Sequence, residues 1–115
     1  MEGKTKGILT ILSYSNLQKK SKKNIELMNR IQAILTIHTD NLPSNFQEII
    51  KAEQEMVLKW KEEGILEHFY LRQTKNGAVF LFKDLDEERV SKLMQSLPLY
   101  PLKKSMEYFN LIKQF

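Results

Sequence analysis

FQEIIKAEQEMVLKWKEEG, residues 46–64, reads as one long amphipathic helix with a carboxylate set into its apolar stripe. Phe46, Ile49, Ile50, Met56, Val57 and Trp60 recur at the three-and-four spacing of a helix face turned to a core. Glu53 falls in the gap at the centre of that face. An ionised carboxylate there loses its hydration unless something pairs with it, so Glu53 is either a satisfied structural group or one kept for chemistry. Ser44 is placed to cap the helix, with Gln47 three residues on completing a capping box. Gly64 is placed to take the left-handed conformation past its C-terminus. At 1.5 Å per residue the segment is about 30 Å long, enough to cross a small sheet.

The flanking segments read as strands and a second helix. Upstream, RIQAILTIHT (30–39) sets Ile31, Ala33, Leu35 and Ile37 on one face and Gln32, Ile34, Thr36 and His38 on the other. Asp40, Asn41 and Pro43 then break the strand. Downstream, strict alternation in ILEHFYLRQ (65–73) puts Ile65, Glu67, Phe69 and Leu71 opposite Leu66, His68, Tyr70 and Arg72. Lys75, Asn76 and Gly77 make a tight turn, with Asn-Gly accepting the positive φ angles. In GAVFLFK (77–83) both faces are apolar, which predicts a central strand.

Asp86 caps the second helix, with Leu85 and Val90 placed for a hydrophobic staple, and Val90, Leu93, Met94 and Leu97 form its buried stripe. Pro98 ends it, and Leu99, Tyr100 and Pro101 make a stiff apolar connector. A last strand at about 104–112 places Met106, Tyr108 and Ile112 on one face and Glu107, Phe109 and Leu111 on the other.

Strand, helix, strand, strand, helix, strand is the order of a ferredoxin-like α+β domain, a four-stranded antiparallel sheet with two helices on one face. The first three strands are apolar on both faces, and no third layer is encoded to hide the uncovered side. A second copy of the same sheet would cover it, which predicts a homodimer, a dimeric α+β barrel.

Composition narrows the function classes. With 115 residues, 42% hydrophobic and 28% charged, the chain has the size and balance of one globular domain. The net charge of +4 resides in residues 1–27, which hold six Lys against two Glu; residues 28–115 hold twelve basic against twelve acidic side chains. A folded body without a basic face argues against nucleic-acid binding. No apolar run approaches the ~20 residues needed to span a bilayer, so no membrane partner is expected. Cysteine is absent, which removes disulfides, thiol nucleophiles and cysteine metal sites and fits a reducing cytoplasm. Residues 1–27 read as a basic N-terminal extension; their apolar run at 8–14 is too short for a signal peptide and is able to add a strand or dock as a helical turn.

The helix ending Glu63-Gly64, His68 four residues later, and the connector Leu97-Pro98-Leu99-Tyr100-Pro101 together resemble the muconolactone Δ-isomerase family. The resemblance spans about 80 residues when the first strand is included and leaves residues 1–27 without a counterpart. It implies a muconolactone isomerase-like domain over residues 28–115. It also implies a reaction that moves a double bond in a small unsaturated lactone or acid, taking a proton from one carbon and returning one to another. That chemistry needs a general base, a group to stabilise enolate-like charge and a dry cavity. No metal or organic cofactor is implied. Glu53, on an acidic position of the family's first helix, is the candidate base, with His68 a candidate proton donor. Tyr70, Arg72 and Trp60 are candidates for substrate binding, Arg72 through its fork-like match to a carboxylate. Where the family has a Trp-Arg pair this chain has Tyr70-Leu71, and Arg72 comes one place later, on the other face of the pleat. Trp60 and Tyr100 also read as packing residues. His38 is a lone histidine near a strand end, and two histidines without matching carboxylates make no metal site. The alternatives are a small-ligand-binding or assembly dimer without catalysis, or another small-molecule enzyme on the same barrel, such as a cofactor-free monooxygenase.

Overall fold

The computed structural model describes residues 28–115, so the basic extension and its apolar run at 8–14 lie outside the described residues. Arg30–Leu111 is one compact unit. The elements run β1 (Asn29–Ile37), α1 (Phe46–Glu62), β2 (Leu66–Leu71), β3 (Gly77–Lys83), α2 (Glu87–Gln95), a 3-10 turn (Tyr100–Leu102) and β4 (Lys103–Ile112). The sheet order is β2-β3-β1-β4, with β3 central and antiparallel to both neighbours. This is the ferredoxin-like α+β arrangement that the order of elements predicts.

One face of the sheet carries the core. Ile31, Ala33, Leu35 and Ile37 of β1 and Ala78, Phe80 and Phe82 of β3 are buried, together with Val57 and Trp60 of α1 and Val90 and Met94 of α2. Trp60 sits 5.6 Å from Phe82 and 6.4 Å from Phe80, ring centre to ring centre. Full burial of a Phe side chain contributes about 2 kcal/mol, so these rings anchor α1 to the middle of the sheet. Gln32, Ile34, Thr36, Val79 and Leu81 alternate with the core residues and face the other way, where they are half-buried.

Local geometry departs from strict periodicity in four places. Helix α1 starts at Phe46 with Asn45 as N-cap and no side-chain cap, so the Ser44–Gln47 capping box does not form. The Phe46 amide instead donates to the Pro43 carbonyl, a turn that carries the chain one residue beyond Ser44 before the helix begins. The strand β1 stops at Ile37, leaving His38 exposed. In the β2-β3 hairpin the positive φ of 63° belongs to Lys75, not to Asn-Gly. Gly77 is required for another reason: a Cβ there would stand 2.1 Å from the Leu35 carbonyl oxygen.

The fourth departure changes a face. A β-bulge at Glu67 lets Leu66 pair with Phe82 and His68 with Leu81. Strict alternation sets Leu66 beside His68 and Tyr70; the extra residue returns Leu66 to the core, where it is buried, while Phe69 pairs with Phe80 on the same side. Arg30 fixes the bulge by donating from Nε to Glu67 Oε1 at 2.7 Å. Elsewhere the expected terminators operate. Gly64 has φ 80°, with the Ile65 amide reaching back to the Trp60 carbonyl, and Asp86 accepts from the Arg89 amide at 2.8 Å.

Candidate functional site

Glu53 lies one turn before Val57 on the face of α1 that meets the sheet, and only 6% of its surface is exposed. Its Oε1 accepts a hydrogen bond from the Leu99 amide at 3.1 Å. That amide is delivered by the connector after α2: Leu97 is buried, the chain turns at Pro98, and a 3-10 turn follows from Tyr100. Among the described residues no further hydrogen bond or ion pair engages the Glu53 carboxyl. Burial pushes its pKa from 4.5 up to about 7, opposed by the Leu99 hydrogen bond. A buried carboxyl that ionises near neutrality is able both to take and to return a proton.

Glu53 forms part of the wall of a cavity of about 260 Å³ between α1 and the hairpin end of the sheet. Leu35, Ile37, Phe46, Ile50, Phe69, Leu71 and Leu99 supply most of the apolar lining. The polar lining is Glu53, Gln54, Arg72 and Lys75. The volume lies just below the ~300 Å³ at which small-molecule pockets usually begin, and an apolar wall with a few polar groups is their ordinary composition.

The structure separates the other candidate residues. His68 and Tyr70 stack at 6.1 Å with rings inclined by 27°, and their pairing with Leu81 and Val79 puts them on the sheet face away from Glu53. Neither lines the Glu53 cavity. Trp60 is buried against Phe80 and Phe82, two turns along α1 from Glu53, and is also absent from the lining. Arg72 lines the cavity, but its guanidinium donates to Thr36 Oγ1 at 2.9 Å, on the face of β1 that points away from α1. Glu53 and Arg72 thus border one space, while His68, Tyr70 and Trp60 lie elsewhere. Two contributors escaped the sequence reading. Leu99 presented itself only as part of a stiff connector, and Lys75 only as a turn residue; neither carries a local signal of a site. Among the described residues no group of His, Asp and Glu is arranged to hold a metal ion, and no described helix is long and apolar enough to cross a membrane.

Comparison with known proteins gives a structural likeness. No protein-family model matches the chain, and no curated protein matches it in sequence. A crystal structure of muconolactone isomerase superposes with a TM-score of 0.61 and 18% identity, over 76% of this chain and 91% of that one. At that identity the likeness concerns the fold: the chain has the four-stranded antiparallel α+β architecture of muconolactone isomerase.

Proposed function

We propose that this chain is a muconolactone isomerase-like, cofactor-free enzyme that moves a proton, and with it a double bond, in a small unsaturated lactone or acid. The observation that carries the reading is the Glu53 carboxyl, buried in the wall of an apolar cavity and raised to a pKa of about 7. At neutral pH about half of it is ionised and ready to act as base. The carboxylate oxygen takes a proton from a carbon acidified by a conjugated carbonyl. The C–H electron pair becomes part of a dienolate, with charge on the carbonyl oxygen. The protonated Glu53 then gives the proton to a different carbon of the same system, which restores the carboxylate and leaves the double bond shifted. No electrons leave the substrate, so the atoms balance without a co-reactant.

Among the described residues Glu53 is the only acid that lines the cavity. Its Leu99 hydrogen bond fixes one carboxyl oxygen and leaves the other for the substrate. The small volume suits a ring of this size, and the apolar walls weaken competition from water.

Self-association belongs to the same proposal. The sheet face opposite the helices carries half-buried Ile34, Val79 and Leu81, together with Tyr70 (58% exposed), Phe109 (45%) and Leu111 (39%). An apolar sheet face of this extent supports pairing with a second copy in a homodimer.

Activity is tested with muconolactone in deuterated buffer, following both isomerisation and exchange of carbon-bound protons by NMR. Glu53→Gln should keep the folded circular-dichroism spectrum and lose turnover by at least ~100-fold, the usual size of a general-base contribution. Equal rates in the variant and the parent chain would remove Glu53 as the base.

A further inference from the structure

The cavity has a cationic end that the assignment of Arg72 does not account for. Arg72 reaches Thr36 across Gly77: the Arg72 amide donates to the Gly77 carbonyl, and Thr36 pairs with Gly77 in the β1-β3 ladder. With no side chain at Gly77 in the way, the guanidinium spans to Thr36 Oγ1 and is committed to the sheet face away from the cavity. Lys75, three residues on, also lines the cavity. Unlike Arg30, which pairs with Glu67, and Lys92, which pairs with Glu88, Lys75 has no ion-pair partner among the described residues.

The turn that carries Lys75 is held from both sides. Its amide donates to the Arg72 carbonyl at 2.9 Å, and the Asn76 carbonyl accepts from the Ile37 amide at 2.8 Å. Lys75 itself occupies the left-handed region at φ 63°, uncommon for a side chain without a local hydrogen-bonding group. Glu53 and Lys75 border one cavity, and among the described residues no ion pair joins them.

We propose that Lys75 is the specificity-determining residue of this cavity: its ammonium takes the carboxylate of a small unsaturated acid whose apolar body lies between Lys75 and Glu53. The proposal rests on the reading of Glu53 as the base. The ammonium is exposed and compact, so it selects for charge and tolerates variation in the geometry of the acid, unlike a guanidinium fork. Exposure also makes the attraction dependent on salt.

The test compares muconolactone, an anion, with its neutral methyl ester, by calorimetric titration into Glu53→Gln, and into Glu53→Gln carrying Lys75→Met or Lys75→Arg. Lys75→Met should weaken binding of the acid about tenfold, leave the ester unchanged and flatten the dependence of acid affinity on salt; Lys75→Arg should restore most of the loss. Equal effects on acid and ester, or no effect on either, would overturn the proposal, as would failure of the acid to bind at all. Turnover by the parent chain is read separately. Absence of turnover, with acid binding that still depends on Lys75, refutes the isomerase reading and leaves the anion site standing.

Discussion

Replacing Glu53 by Gln should abolish a specific pH dependence of stability. In the folded chain burial holds the Glu53 pKa at about 7, against 4.5 for the free side chain. The folded protein therefore retains a proton that the unfolded chain has lost between those two values, and stability falls as the pH rises through that window. The limiting slope is about 1.4 kcal/mol per pH unit, so the total loss is about 3 kcal/mol, most of it between pH 4.5 and 7 and complete by about pH 8. Gln cannot titrate, yet its oxygen can still accept from the Leu99 amide that holds Oε1. The two proteins should lie within about 1 kcal/mol of each other at pH 5, and the variant should be more stable by about 3 kcal/mol at pH 8. Trp60, the only tryptophan and buried against two phenylalanines, reports unfolding by fluorescence in urea titrations across that range. Parallel stability curves for the two proteins from pH 5 to 8 would refute the claim that Glu53 is desolvated.

Gly77→Ala forces a Cβ to 2.1 Å from the Leu35 carbonyl and should cost about 3 kcal/mol or more by parting β1 from β3, whereas Gly64→Ala meets no atom within 4 Å and should cost only the ~1 kcal/mol of a left-handed backbone. Urea unfolding of both variants checks the contrast, and equal losses would contradict it. Light scattering at micromolar concentration should give the mass of a dimer, and Tyr70→Lys with Phe109→Lys should return it to that of a monomer; a parent chain that is strictly monomeric removes the paired-sheet interface.

Much of the fold was legible because most of its signals are local. The stripe from Phe46 to Trp60, the stop at Gly64, the cap at Asp86 and the two-sided apolar run of β3 each follow from periodicity or from one residue's backbone preference. Errors arose where two distant segments decide together. The bulge at Glu67 is set by pairing with β3 and by Arg30 of β1, 37 positions away, so alternation within β2 misplaces Leu66. The hairpin residue with positive φ is Lys75, because Gly77 is already drawn into the ladder beside Leu35.

The candidate site divides along the same line. Sequence alone singled out Glu53, since a carboxylate at a core position of a helix carries a desolvation cost wherever that helix packs. It also determined the order of elements and hence the architecture. Only the tertiary structure decided that the Leu99 amide meets this carboxylate, that Arg72 turns to Thr36, and that Lys75 borders the cavity. Those contacts join residues 36 to 46 positions apart, or follow from the path of a turn. Hydrophobic period records which face of an element is buried, and carries no information about which distant polar group will arrive there.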